Sequence, residues 1–350
     1  MIYSRLRFFT FSASLSLLGL AAASAGCSSD SDDGKTSNAG GGPSTGGGTG
    51  SGGQSSGGQS NTGGQSSTGG GNNAGVVVGN FQVEIVPKSA TEGTTGIIGK
   101  VYDGPNPSLM KWSLVEEDGD CILEKPKAPF CDPACGADVC VDDNVCQAYP
   151  NVKSVGEVKV TGIGASEFAL IEVNGSYQKP PTLELSFPPF EAGAAVRFAA
   201  AGGDFAPFSV ETAAIAPLVV TSMNLALDPA APLELTWEPA ADPSASVVEV
   251  NLDISHHGGT KGQVRCETSD DGSLSIGATL IAQLIDLGVA GFPTIHLSRR
   301  SVGGAEIEAG RVELTVHADA EMAVEVPGVQ SCTNDDECDS GDCRDDLTCG

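Results

Sequence analysis

Val248-Glu249-Val250-Asn251-Leu252-Asp253-Ile254 alternates apolar and polar residues without a break. Successive side chains of a β-strand point to opposite faces, so Val248, Val250, Leu252 and Ile254 share one face and the segment reads as a half-buried strand. Leu233-Glu234-Leu235-Thr236-Trp237 before it repeats the pattern, and Val264 to Cys266, then Leu274 and Ile276, continue it. Earlier in the chain Phe81, Val83 and Ile85 alternate with Gln82 and Glu84 until Pro87 stops the run. Strands are also expected at 97–102 and 109–115, parted by Gly104-Pro105-Asn106-Pro107, a sequence suited only to a turn.

The same signal recurs at 157–163, 167–173, 183–187, 194–199, 208–212, 218–221, 294–297, 311–316 and 322–326. Asp270-Asp271-Gly272-Ser273 reads as a turn. One helix is expected, because Leu280, Ile281, Leu284, Ile285 and Leu287 follow the i, i+3, i+4, i+7 spacing of a helix buried on one side, and Gly288 ends it. Short strands at this spacing predict a mostly β fold. Thr236-Trp237 followed by a long alternating strand resembles the architecture of an immunoglobulin or fibronectin type III sandwich, in which a Trp packs between the sheets. The expected layout is a signal peptide at 1–26 and a disordered tether at 27–78. A β domain follows at 79–217 with a Cys-rich insert at 121–146, then a second β-sandwich with one short helix at 218–329. A Cys-rich knot closes the chain at 330–350.

Eleven cysteines punctuate that layout. Cys131, Cys135, Cys140 and Cys146 crowd a Pro- and Asp-rich insert, and Cys332, Cys338, Cys343 and Cys349 close the chain, with the last two gaps identical in the two clusters. Segments this short bury too little apolar surface to fold alone, and disulfides are the usual remedy. Two bonds inside each cluster leave Cys121 and Cys266, which are expected to pair. Within each cluster three connectivities remain open. The clusters lack the Cys-x2-Cys spacing of zinc sites.

The eleventh is Cys27. Before it run Arg5, Arg7, an apolar stretch from Phe8 to Leu20 and small residues to Gly26, the order of a secretory signal. That stretch is too short and too rich in serine to be read as a span of about 20 apolar residues. Ala25-Gly26-Cys27 resembles the end of a bacterial lipobox, with Ser24 where Leu is usual, which implies a diacylglycerol thioether on Cys27. Ala23-Ser24-Ala25 offers ordinary cleavage instead. From Ser28 to Gly75 there is no Leu, Ile, Val or aromatic residue, so this stretch cannot bury a core and reads as a flexible coil with a reach of about 35–40 Å. Ser28 rather than Asp after the Cys resembles the enterobacterial lipoprotein sorting rule, which implies the outer membrane, facing periplasm or cell surface.

With 45 acidic against 18 basic residues the chain carries a formal charge of -27. Such a surface repels phosphate backbones, so nucleic acid is not an expected partner. Aromatic residues make up 5% of the chain, with two Trp, so sugar-stacking platforms would be sparse. Asp253, His256 and His257 are the best metal candidates, yet adjacent residues on a strand point apart unless the strand ends between them. Asp335, Asp336, Glu337, Asp339, Asp342, Asp345 and Asp346 could offer oxygens to calcium, but lack the Asp-x-Asp-x-Asp-Gly loop. Ser340 sits in Asp339-Ser340-Gly341 without the His and Asp motifs of a serine hydrolase. No cofactor and no metal site is therefore expected.

Together the lipobox, the tether, Cys131-Asp132-Pro133-Ala134-Cys135-Gly136, the β segments and the terminal cysteine repeat resemble myxobacterial-type Cys-rich lipoproteins. So do Asp271 to Ile276 and the run Thr294 to Arg300. That resemblance implies location and architecture, not an activity. The expectation is a lipid-anchored, non-catalytic binding or structural protein of the cell envelope, attached to the membrane by its lipid and presenting its body to a protein or glycan. The alternative is a hydrolase of envelope or external polymers that uses a carboxylate pair or the His256/His257 region.

Overall fold

The structure is a computed structural model that describes residues 75–88 and 92–350. The expected signal peptide, Cys27 and the expected tether up to residue 74 lie outside the described residues. Alternation sets the elements in chain order: β1 (Val77–Pro87), β2 (Gly93–Tyr102), β3 (Lys111–Asp118) and β4 (Cys121–Lys127) open the body. The insert supplies β5 (Val139–Asp142) and β6 (Val145–Gln147). Short pieces follow as β7 (Val152–Lys153), β8 (Val158–Thr161), β9 (Phe168–Ala169), β10 (Ile171–Val173) and β11 (Ser176–Gln178). Next come β12 (Ala195–Ala200), β13 (Phe208–Ala213), β14 (Leu233–Thr236), β15 (Val247–Asp253), β16 (Gln263–Ser269) and β17 (Ser273–Ile276). The helix α1 spans Ala278–Asp286, and a long hairpin of β18 (Thr294–Ile307) and β19 (Gly310–Ala323) completes the set. The fold is mostly β, with sandwich-like packing and two disulfide knots.

The boundary expected at 217/218 does not separate two sheets. One 11-stranded sheet runs β10-β11-β2-β1-β19-β18-β15-β16-β4-β3, with β7 paired to β2 off that path, so it draws strands from both expected domains. The join is a parallel pairing of β1 with β19, Phe81 opposite Leu314 and Val83 opposite Val316. The described residues accordingly form one compact unit. The expected tether end at 78 also moves, because Val77 and Val78 already belong to β1.

All the inward residues of this sheet share one face. Phe81, Val83 and Ile85 lie level with Leu314, Val316 and Ala318, then Leu297, Val250, Cys266 and Cys121. Burying such side chains yields about 1.5–3 kcal/mol each before entropy is charged against it. Two covers lie on this face. A four-stranded sheet, β13-β12-β8-β9, seats Phe198 5.4 Å from Phe81, ring centre to ring centre. The ribbon β14-β17 and the apolar face of α1 (Leu280, Ile281, Leu284) cap the β15-β16-β4 end in the same core. Close approach is bought with glycine. A Cβ on Gly303 would stand 1.8 Å from the Glu211 carbonyl where β18 passes β13, and one on Gly99 would stand 2.1 Å from the Phe81 ring.

Arg299 joins the layers. It sits on β18 with the inward parity of Ile295 and Leu297, and is 1% exposed. Its Nε and Nη2 donate to both carboxylate oxygens of Asp270, at 2.6 and 2.8 Å. The remaining donors reach the carbonyls of Glu238, Pro217 and Ala216. Asp270, expected only as a turn residue, is fully buried and also accepts from the Trp237 indole and the Ser246 hydroxyl. Trp237 is buried as the sandwich resemblance implied, with its N–H spent on this carboxylate.

Two expected strands form no ladder, and a third is cut short. The 183–187 segment lies between prolines at 180, 181, 188 and 189, which cannot donate to a sheet. Leu185 and Phe187 pack on the core from a segment that joins no sheet. At 218–221 there is one isolated bridge, Val220 to Trp237, and in 322–326 only Glu325 forms a bridge beyond the end of β19. Conversely, the strands expected at 294–297 and 311–316 grow to 14 residues each by pairing along their whole length.

Candidate functional site

The outward face of the long sheet is polar across its middle strands, because β18, β19, β15 and β16 all alternate in phase. Hairpin register sets Arg300 opposite His317, Ser298 opposite Asp319 and His296 opposite Glu321. β15 adds Glu249, Asn251 and Asp253, and β16 adds Glu267, Arg265 and Gln263. His317 Nδ1 and Asp319 Oδ2 are 2.9 Å apart, and the Ser298 hydroxyl donates to Oδ1 at 2.6 Å. The Arg300 guanidinium bridges Glu249 at 2.8 Å and Glu267 at 2.7 Å. A second net runs from Asn251 through Gln263 to Glu124, which Arg265 also approaches at 3.4 Å. Glu124 is buried although it faces outward, shielded by its polar neighbours on an open face. Asn251 Oδ1, Glu267 Oε1 and Arg300 Nε are screened from solvent and lack a hydrogen-bond partner among the described residues.

Electrostatics sharpen the His317–Asp319 pair. The hydrogen bond to Asp319 holds the His317 pKa above its ordinary value against the opposing effect of burial, with help from the negative charges of Asp319 and Glu84. Burial pushes Asp319 up, but hydrogen bonds from His317 and Ser298 and the charges of His317 and His296 outweigh it and leave the carboxyl below its usual range. Protonated His317 therefore stabilises the fold fully below its unfolded pKa of about 6.5, and that contribution is lost as pH rises through the raised folded value. Ionised Asp319 contributes above about pH 3.9 and is lost as pH falls through its lowered value. Between about pH 4 and 6.5 both terms are present. His317→Gln is expected to destabilise most in that window and progressively less on the alkaline side. Urea midpoints at pH 5.5 and 9 test this, and an equal loss at both pH values would refute it.

The residues singled out in the sequence are scattered. β15 ends at Asp253, so the His256 and His257 rings do come together, 3.9 Å apart, with His257 at φ +65°. Asp253 approaches His256 only to 4.0 Å, and its Oδ1 is taken by the Ser255 amide and hydroxyl. The Ser340 hydroxyl is engaged with the backbone of Asp342. In the acidic tail Asp335 accepts from the Cys343 amide, Glu337 from the Thr333 amide and hydroxyl, and Asp346 from Thr348, so these carboxylates brace the knot. Among the described residues, the sets of three metal-type donors already drawn together are Cys131, Cys135, Cys140 and Cys332, Cys338, Cys343, all of whose sulfurs are in disulfides.

Five disulfides pair all ten cysteines of the body. Cys121–Cys266 joins directly opposite residues of β4 and β16. Cys131–Cys140 and Cys135–Cys146 match Cys332–Cys343 and Cys338–Cys349, so both knots connect first to third and second to fourth. Asn144 and Leu347, each four residues past the third cysteine, both take positive φ, of 59° and 62°. The insert and the C-terminal segment thus share one turn as well as one connectivity.

An open groove of about 830 Å³ lies between the β8–β9 loop, the segment before β12 and the strap after β13, lined by Pro188, Pro189, Phe190, Ile215 and Pro217. Glu191 is its acidic residue, so the groove holds no carboxylate pair. The close pair Glu249 and Glu267 lies on the open sheet face instead, tied to Arg300. Sequence reasoning passed over His296, Arg300, His317 and Asp319. Their outward parity on two strands was the available signal, and the register that brings them together was not.

No protein-family model matches the chain, and no curated protein matches it. Among solved structures the chain is similar to the crystal structure of chicken CNTN1 FN1-FN3 domains at 7% identity and a TM-score of 0.19, over 66% of this chain and 78% of that one. At that TM-score the likeness carries no further weight.

Proposed function

We propose that the protein is a lipid-anchored, non-catalytic component of a bacterial outer membrane, whose disulfide-braced β body is held off the membrane by a Gly/Ser-rich tether and binds a protein or glycan partner. The observation that carries this reading is the cysteine pairing. Eleven cysteines less the ten in disulfides leave Cys27 alone, at the end of the export signal. In an oxidising compartment a lone thiol is a liability, and thioether formation removes it. Five disulfides suit export. The polar sheet face, broad and open, is the surface offered to a partner, and the charge of -27 disfavours nucleic acid there.

Mass spectrometry of the membrane-extracted mature chain is expected to find an acylated Cys27 at the N-terminus. Cys27→Ser should move the protein from the membrane to the soluble fraction. A mature chain that begins at an unmodified Gly26 would overturn the anchor.

A further inference from the structure

We propose that the open face of the β18–β19 hairpin binds a divalent transition-metal ion of the zinc class between His296, Asp319 and Glu321. Two periodicities bring these residues together. On β19 His317, Asp319 and Glu321 are spaced by two, so all three project from the same face. Hairpin register then places His296 directly opposite Glu321, and Ser298 opposite Asp319, which sets His296 on the diagonal to Asp319. Opposite residues have Cβ atoms about 4.5–5.5 Å apart and diagonal ones about 7–8 Å, within reach of one shared point for an imidazole and two carboxylates.

Asp319 is oriented in advance. His317 Nδ1 holds Oδ2 at 2.9 Å and the Ser298 hydroxyl holds Oδ1 at 2.6 Å. His296 Nε2 stops 4.0 Å from Asp319 Oδ1. That gap is too long for a hydrogen bond. It is slightly wider than the ~3.4 Å between two ligand atoms of a tetrahedral zinc with bonds of about 2.0–2.1 Å. The His296 side chain is 44% exposed, so a small ring rotation closes the gap. Glu321 is exposed as well and is drawn in by the ion, as the second carboxylate. His317 serves as the outer-shell partner that fixes a ligating carboxylate. Arg300, opposite His317, is turned toward β15 and β16, where its Nη2 is held by Glu249 and Glu267. Imidazole with carboxylate suits zinc and its neighbours better than magnesium, and the acidic chain attracts cations.

Zinc titrated by calorimetry into the full mature chain, disulfides intact, tests the assignment. Outer-shell changes alone cost about 10–100-fold in metal affinity, so His296→Ala and Glu321→Gln should each cost at least about tenfold. His317→Gln should cost less than either, while a His256→Ala/His257→Ala double variant should bind as the wild type does. In NMR spectra the His296 ring should respond to zinc and the His256 ring should not. The proposal fails if zinc gives no binding, if His296→Ala binds unchanged, or if the His256/His257 double variant abolishes binding. The substituted side chains are at least partly exposed and none is in the core, so circular dichroism of each variant should match the wild type. Membrane attachment through Cys27 is read separately and does not enter this result.

Discussion

Arg299→Met is expected to cost the fold about 3–5 kcal/mol, the loss typical of removing one partner from a buried ion pair. The reason is what it leaves behind. Asp270 is 0% exposed and would keep the Trp237 and Ser246 donors but lose both bonds from the guanidinium. Three backbone carbonyls, of Ala216, Pro217 and Glu238, would lose their donor at the same time. Desolvating two charges is itself costly, so the pair is no net asset against an apolar replacement of similar shape. Arg299→Met with Asp270→Leu should therefore recover part of the loss, which a double-mutant cycle on urea midpoints would show. Asp270 also carries a pH signature. Burial pushes its carboxyl up, but bonds from Arg299, Ser246 and Trp237 outweigh that and hold it below the usual range. Its contribution is thus present above about pH 3.9 and lost as pH falls through the lowered value. In Arg299→Met that acid-side loss should shrink. A single variant within about 1 kcal/mol of wild type would refute the hub, since ordinary single substitutions centre there.

Removing the long-range disulfide with Cys121→Ala/Cys266→Ala should cost about 5 kcal/mol in the chain-entropy model. The bond closes a sequence separation of 145 residues, and the cost of closing a loop grows with the logarithm of its length. Separations of 9 to 11 residues within the knots predict only about 2.7 kcal/mol per bond. Both sulfurs lie in the core between β4 and β16, so the alanines add a small packing loss. Denaturant midpoints of this variant and of Cys332→Ala/Cys343→Ala under oxidising conditions compare the two. An equal shift in both would contradict a loop-length origin.

Most strands were legible because their signal is local. Phe81-Val83-Ile85 and Val248-Val250-Leu252-Ile254 state their own parity, and Leu280 to Leu287 states a helix. Ladders failed to form where prolines took away donors around 183–187, a failure that composition signalled and alternation overrode. The candidate site was less legible. His256 and His257 drew notice as neighbours in sequence, whereas His296 becomes a neighbour of Asp319 and Glu321 only through the register of a hairpin.

By itself the sequence determined the β class, the Gly- and Ser-rich composition before residue 75, and the parity that turns each side chain in or out. It also determined which cysteines were left after two four-cysteine clusters were set aside. Tertiary structure alone decided that β1 pairs in parallel with β19, so that strands from both halves share one sheet. It alone chose the first-to-third, second-to-fourth pairing in each knot and gave Arg299 its partner. The physical reason is range. Backbone periodicity acts over a few residues and is written in them, while the partner of an inward arginine or an outward histidine is set by segments far along the chain, which only packing brings near.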